Sequence, residues 1–328
     1  MKKCLLLAIS LLMLAACSSK EQRLFQQAQL ATDKGDFPKA IRLYTTLLKQ
    51  DPDNIAAHTN RGILLERLPA KTSKERRKNQ EMAQQDYEAA IKGAPNVPEA
   101  YNNLGALLLD MGRYADAVYY LQRATNIRPN YFLAWMNLGV AYYQQGKVAE
   151  SLGSFARAYN IRQDYPNLFL NRGLAYFSMG DYEAALDDYT ELLRLKGPDA
   201  RALLERGRAF MKLKYYANAM EDFQQAVGLQ PSYALAYYYM AELLFLQGET
   251  DQALGMLSRT KELASRYVPA YELMGDMLAL EDPPSAVANY LVARKLDPAN
   301  AAKYNYKMKM MSTEAGRKNV VARRFLAE

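Results

Sequence analysis

Small, aromatic and apolar positions return along this chain with a period of 34 residues, from Glu21 to Asn300. One insertion and one deletion bring eight segments into line: 21–54, 55–97, 98–131, 132–165, 166–199, 200–233, 234–267 and 268–300. The eighth residue of each is Gly or Ala: Ala28, Gly62, Gly105, Gly139, Gly173, Gly207, Ala241 and Gly275. A second small column follows at Ala40, Ala83, Ala117, Ser151, Ala185, Ala219 and Ala253, with Ala286–Val287 in the shortened last segment. An aromatic or Leu column runs through Tyr44, Tyr87, Leu121, Phe155, Tyr189, Phe223, Leu257 and Tyr290. A period of this length marks a solenoid, in which each unit buries its apolar face against its neighbours.

Each segment reads as two amphipathic helices in a hairpin, with the small columns where the backbones approach closely. Gly35, Gly112, Gly146, Gly180 and Gly248 fall between the two helices, where a left-handed C-terminal residue suits glycine. Pro52, Pro95, Pro129, Pro231 and Pro298 end their units, because Pro cannot continue a helix. The stretches AYNNLGALLLDMGRYADAVYYLQRATNIRPN (100–130) and AWMNLGVAYYQQGKVAESLGSFARAYNIR (134–162) resemble the tetratricopeptide repeat (TPR). The resemblance covers about 280 of 328 residues. It implies an all-α, right-handed TPR solenoid of eight helix hairpins over 21–300, with a capping helix and a basic tail over 301–328. The same scaffold serves many partners, so the fold alone names none.

The N-terminal stretch has its own signature. A basic Met1-Lys2-Lys3 precedes the apolar run 5–14, too short to span a membrane, and then Leu14-Ala15-Ala16-Cys17. This resembles a bacterial lipoprotein signal: residues 1–16 removed, a lipid on Cys17, and 17–20 as a polar tether. The alternatives are an ordinary signal peptide or a buried Leu-rich helix. Ser18 after the Cys implies sorting to the outer membrane, on its periplasmic face, the alternative being retention at the inner membrane. Several acyl chains on one Cys anchor firmly where a single chain does not. With only Cys4 and Cys17 in the sequence, the mature chain has no disulfide to draw on.

The net charge is +7, but it is concentrated. The stretch 66–81 carries six basic and three acidic residues, and 303–328 carries seven and two. Without a basic stripe along the repeats, nucleic acid is not the expected partner. Anionic lipid headgroups, polyanionic envelope glycans or acidic proteins suit two local patches better, the alternative being solvated charge. The first patch is an insertion of nine residues in the second hairpin. Pro69 should stop one helix, and Thr72 with Glu75 forms a capping-box pattern for a longer one running to about Lys92.

Two columns vary together. Arg61, Arg172 and Arg206 precede their Gly, and the same three hairpins carry Asp86, Asp188 and Asp222 before the aromatic. The other five hairpins have neither residue at these places. Direct Arg–Asp pairs within each hairpin follow, which assigns these six charges to structure.

In TPR superhelices the first helix of each hairpin lines the concave groove. Two residues before the small column stand Gln26, Asn60, Asn103, Asn137, Asn171, Glu205, Tyr239 and Leu273. Four consecutive Asn at one helical phase align carboxamides, which offer donors and an acceptor as a peptide backbone does. The row resembles the asparagine ladder of TPR proteins that bind extended polypeptides. The expected peptide-binding groove is therefore Asn60, Asn103, Asn137, Asn171, Glu205 and Tyr239, over a floor of Ile63, Ala106, Val140 and Leu174. Tyr238 and Tyr239 either anchor a ligand or pack against the next hairpin. His58, the only His, falls in a packing column with Tyr101, Trp135, Phe169, Leu203 and Tyr271, and reads as a structural stand-in.

One His and no free thiol supply no metal cluster and no nucleophile–His–acid set. The expectation is a non-enzymatic, lipid-anchored scaffold for other envelope proteins, without a cofactor beyond the lipid on Cys17. The alternative is a peptidoglycan- or polysaccharide-binding module using the insertion and tail.

Overall fold

The computed structural model describes residues 20–326; Cys17 and the signal expectation lie outside the described residues. The chain forms two compact units that divide between Gln163 and Asp164. Helices and the short connections between them account for both.

The first unit contains four hairpins: α1 (Lys20–Asp33) with α2 (Phe37–Gln50), α3 (Ile55–Arg67) with α4 (Ser73–Gly93), α5 (Pro98–Asp110) with α6 (Tyr114–Ile127), and α7 (Phe132–Gln144) with α8 (Val148–Ile161). First helices also touch one another, α3 with α5 and α5 with α7. One core cluster joins the second to fourth hairpins through Leu65, Tyr87, Leu104, Leu107, Leu121 and Leu138, and another joins the first two through Tyr44, Leu47, Ala57 and Leu64.

The second unit repeats the plan with α9 (Pro166–Met179) and α10 (Tyr182–Lys196), α11 (Ala200–Lys212) and α12 (Tyr216–Leu229), α13 (Ala234–Leu246) and α14 (Thr250–Leu263), and α15 (Val268–Leu278) and α16 (Pro283–Leu296). Two more helices follow, α17 (Ala301–Met310) and α18 (Glu314–Leu326). Residues 314–326 are thus helix. Among the described residues no helix is long and apolar enough to cross a membrane.

The small and aromatic columns meet directly. A Cβ added to Gly139 would lie 2.5 Å from the Phe155 ring, and one on Gly207 would lie 2.5 Å from Phe223. Gly105 meets Leu121 and Gly275 meets Tyr290 in the same way. The close neighbour is a side chain of the second helix, where backbone approach had been the expectation. Ser151, the polar member of the second small column, donates to the Gly139 carbonyl at 2.8 Å, so its hydroxyl is satisfied inside the hairpin.

All three Arg–Asp pairs form, each as a two-bond fork. Arg172 donates through Nε and Nη2 to Asp188 at 2.9 and 2.6 Å; Arg206 reaches Asp222 at 2.8 and 2.7 Å. Arg61 holds Asp86 at 2.9 and 2.7 Å, across the nine inserted residues. Burial pushes the Asp188 carboxyl above its ordinary range, against the opposing pull of Arg172.

His58 belongs to the same structure. Its Nδ1 lies 2.7 Å from Asp86 and its Nε2 lies 2.9 Å from the Pro52 carbonyl. Trp135 donates its indole N–H to the Pro129 carbonyl at 2.8 Å, and Tyr271 its hydroxyl to Ser265 at 2.9 Å, each six residues back. The imidazole is one of several column members whose polar edge ties down the preceding turn.

The inserted helix α4 starts and ends as its sequence indicates, with 21 residues where α2 and α6 have 14. Its cap differs in one detail from a capping box. Thr72 Oγ1 accepts from the Glu75 amide at 3.1 Å, but Glu75 reaches back to the Lys71 amide, not that of Thr72.

Candidate functional site

The first-helix face of the first unit carries the asparagines. Asn60, Asn103 and Asn137 are half-buried, and so are the apolar Ile63, Ala106 and Val140 one turn along. The carboxamides do not stand as separate rungs. Asn137 Nδ2 donates to Asn102 Oδ1 at 3.0 Å, and Asn102 Nδ2 approaches Asn103 Oδ1 at 3.5 Å. Asn60 donates to the Tyr44 hydroxyl at 3.2 Å. The buried Asn102 therefore links Asn103 to Asn137 across α5 and α7. These bonds fix the carboxamide planes and still leave Asn137 Oδ1 and one amide hydrogen for a ligand.

Sequence reasoning missed Asn102. Its own column holds Thr59, Met136, Leu170 and Leu204, which gave no consistent chemistry to follow.

In the second unit Asn171 is half-buried on the same face of α9 and makes no hydrogen bond among the described residues. The next two positions are used internally. Glu205 is buried and accepts from Arg208. Tyr239 stacks on Phe223, with ring centroids 5.8 Å apart at 21°, and the Arg208 guanidinium lies 5.2 Å from its ring. Leu273 is fully buried. Glu205 is thus already engaged by Arg208 at its place on this face.

The C-terminal helix occupies part of this face. α18 packs on α15, and Val321 joins the core cluster of Tyr238, Met274 and Met277. Arg324 donates to Glu242 and, at 3.3 Å, to the Tyr238 hydroxyl. Tyr238 also packs edge-on to Tyr267, 5.3 Å between centroids. Of the two roles considered for Tyr238, packing is the one observed, against Tyr267 and the docked Arg324.

Most cations of the expected basic tail are spent in the same way. Lys303 and Lys307 both reach Glu272, and Lys307 also holds the buried Asp276 at 2.7 Å. Burial pushes the Glu272 carboxyl up, but Lys307 and Lys303 outweigh it and hold it below its ordinary value. Arg317 caps the Met311 carbonyl, and Arg323 lies over Tyr306. The tail is a docked cap, held by ion pairs, and not a free basic arm.

Two cavities adjoin these features. One of about 580 Å³ lies in the second unit beside Tyr238, Tyr239 and Tyr267, with Arg208, Lys212, Lys214, Glu242 and Arg324 on its walls. Burial and the neighbouring Tyr239 and Glu242 push the Tyr267 hydroxyl up to about 12. The other, of about 420 Å³, lies in the first unit between the insertion and α5, lined by Glu66, Pro69, Arg76, Asn79 and Asp110. Asn79 is nine-tenths buried there, and its Nδ2 has no hydrogen-bond partner among the described residues. On the insertion itself, Arg76 holds Asp110 at 2.8 Å and Arg77 holds Glu81 at 3.0 Å.

Family models described as tetratricopeptide repeat or TPR repeat match residues 28–68, 86–119, 106–146, 141–180, 170–234 and 211–276. Between 28 and 276 they leave out only 69–85, which contains the insertion. Human tetratricopeptide repeat protein 13 is 29% identical over 103 residues, 31% of this chain but only 12% of its own length. Among solved structures, pilF of Pseudomonas aeruginosa superposes with a TM-score of 0.57 at 20% identity, covering 68% of this chain and 97% of its own. PilW, described as a widely conserved type IV pilus biogenesis factor, gives 0.56 at 21% identity, covering 65% and 96%.

Proposed function

The chain belongs to the tetratricopeptide-repeat proteins, and from that premise we propose that it is a lipid-anchored scaffold binding an extended segment of other envelope proteins along its first-helix face. A general role in protein interaction follows from the family. The finer reading is supported chiefly by one observation: Asn103, Asn102 and Asn137 form a pre-oriented carboxamide row over half-buried apolar residues. Such a row can pair with backbone N–H and C=O groups without reading side chains. Because the Asn planes are already fixed, little side-chain ordering opposes binding.

The anchor is proposed from Leu14-Ala15-Ala16-Cys17 and Ser18, with the protein on the periplasmic face of the outer membrane. PilW's description as a pilus biogenesis factor suggests the kind of assembly such a scaffold would serve. No catalytic step or cofactor is assigned.

Photo-crosslinking in cells tests the groove. With the reactive residue at Asn137 and a control at Lys74, a discrete protein adduct at Asn137 alone is the expected result. An adduct only at Lys74 would move recognition to the insertion and remove the role of the asparagine row.

One observation favours a second reading, glycan binding at the insertion. The unpartnered amide of Asn79 lines a polar cavity flanked by Glu66 and Asp110. Pull-down on purified cell wall, with residues 71–78 replaced by neutral ones, tests it. Retention lost with that replacement is its signature.

A further inference from the structure

We infer that the cavity beside Tyr238 and Tyr239 receives an acidic peptide segment carrying aromatic side chains, with Lys212 and Lys214 as its anion contacts. The inference rests on reading the first-helix face as a protein-binding surface, and it names the partner's chemistry in the second unit.

Charge is the first argument. Four cations line the cavity, Arg208, Lys212, Lys214 and Arg324, against one carboxylate, Glu242. Arg208 is answered by Glu205, and Arg324 by Glu242. Lys212 and Lys214 are exposed and have no acidic partner among the described residues. A carboxylate entering the cavity would therefore meet unneutralised charge beside low-dielectric walls, where charge-assisted bonds are strongest.

The backbone supplies the second argument. Lys214 has φ 62, and it is the only residue other than glycine with positive φ among the described residues. The corresponding position is glycine in five other hairpins: Gly35, Gly112, Gly146, Gly180 and Gly248, with φ between 73 and 84 or at 86. Left-handed backbone is unfavourable for a residue with a Cβ. Such strain persists where surroundings hold it, and it concentrates at sites of function. Here the strained residue is one whose side chain lines the cavity. Glycine would relieve the backbone and remove the charge.

The aromatic walls give the third argument. Phe177, Tyr216 and Tyr267 join Tyr238 and Tyr239 around the cavity. Ring faces and edges accept another ring in offset or edge-on packing. Its volume, about 580 Å³, falls among ordinary ligand pockets. A segment that alternates acidic and aromatic side chains uses both kinds of wall, whereas a small inorganic anion uses only the lysines. The site is built from a helix end and the following turn.

The test uses the full chain and a dye-labelled peptide alternating Glu and Phe, with a Gln-for-Glu twin, read by fluorescence anisotropy. The acidic peptide should bind at least about tenfold tighter than its twin, and added salt should weaken it. Lys212→Gln should cost about tenfold in affinity. Lys214→Gly should cost as much while leaving the melting temperature equal or higher, which a merely structural role would not produce. Equal affinity for the two peptides, or unchanged affinity in Lys214→Gly, overturns the inference. So does competition by inorganic phosphate as strong as that by unlabelled peptide. If the inference fails while the Asn137 adduct forms in cells, the scaffold reading stands without it. Acidic-peptide binding without that adduct would confine recognition to the second unit.

Discussion

Arg324 in the last helix donates to Glu242 on α13, a residue 82 positions earlier in the chain. Burial would lower the guanidinium's pKa, but Tyr238 and Glu242 outweigh it, so the side chain stays charged where it docks. Reversing that charge sets two carboxylates against each other. Losing one charged hydrogen bond costs about 2 kcal/mol. In Arg324→Glu the amides of 314–326 should then exchange roughly tenfold faster or more, with α15 and α16 unchanged. Hydrogen exchange by mass spectrometry reads this segment directly. Unaltered exchange would mean that Val320 and Val321 hold α18 without the ion pair.

The contact of Gly207 with Phe223 makes a sharper demand than helix propensity does. Alanine there gains just under 1 kcal/mol in propensity but forces a methyl against an enclosed ring, an overpacking cost of about 2 kcal/mol. Gly207→Ala should lose about 1 kcal/mol net, measured by urea unfolding. Gly153, whose added Cβ would meet nothing within 4 Å, is the control and should gain stability on the same change.

Asp188→Ala should destabilise by about 3 kcal/mol, because the largely buried Arg172 loses the carboxylate that neutralises it. Replacing both by apolar residues of similar size should recover most of that loss. The raised carboxyl pKa points the same way: burial costs the ionised form more than Arg172 returns, so the pair adds little beyond an apolar contact. A melting curve unchanged by Asp188→Ala would refute this.

Asp199 caps α11 by accepting from the Ala202 amide at 2.9 Å and pairs with Lys196. Burial raises its pKa, but Lys196 and the amides of Ala202 and Arg201 outweigh that and hold it below the ordinary 3.8. A depressed folded pKa means stability present above 3.8 and lost as pH falls through the folded value. The gap between wild type and Asp199→Ala should be about 1 kcal/mol at neutral pH. It should stay flat from about pH 7 to pH 5 and close only in stronger acid. Chemical denaturation across that range checks the sign.

The hairpins were legible because packing repeats with the sequence. Gly139 sits against Phe155 for the same reason that Gly105 sits against Leu121, so one chain supplies its own comparison. Arg172 and Asp188 were legible because the two positions change together from hairpin to hairpin. The resting place of α18 was hidden: residues 314–326 share no column with the repeats, and Glu242 is remote in sequence. Asn102 was hidden behind Asn103, its partner set by which helices touch and not by phase. Lys214 was legible in principle, since it stands in the left-handed column of Gly35, Gly112, Gly146, Gly180 and Gly248, but a column read through its glycines passes over a unit that lacks one.

A chain of similar hairpins faces a hazard that dissimilar elements do not, because a first helix can close on the second helix of the wrong repeat while folding. The forked pairs bear on that error. If α9 closed on α14, Arg172 would face Met256 where it should meet Asp188, and a guanidinium would be buried without a counter-charge. If α13 closed on α10, Asp188 would be stranded against Met240. Each mistake forfeits about 3 kcal/mol, a preference of more than a hundredfold for the correct closure. The pairs would thus penalise closure on a hairpin that lacks them, and leave unpenalised the exchange of α10 and α12, where Asp188 and Asp222 are interchangeable.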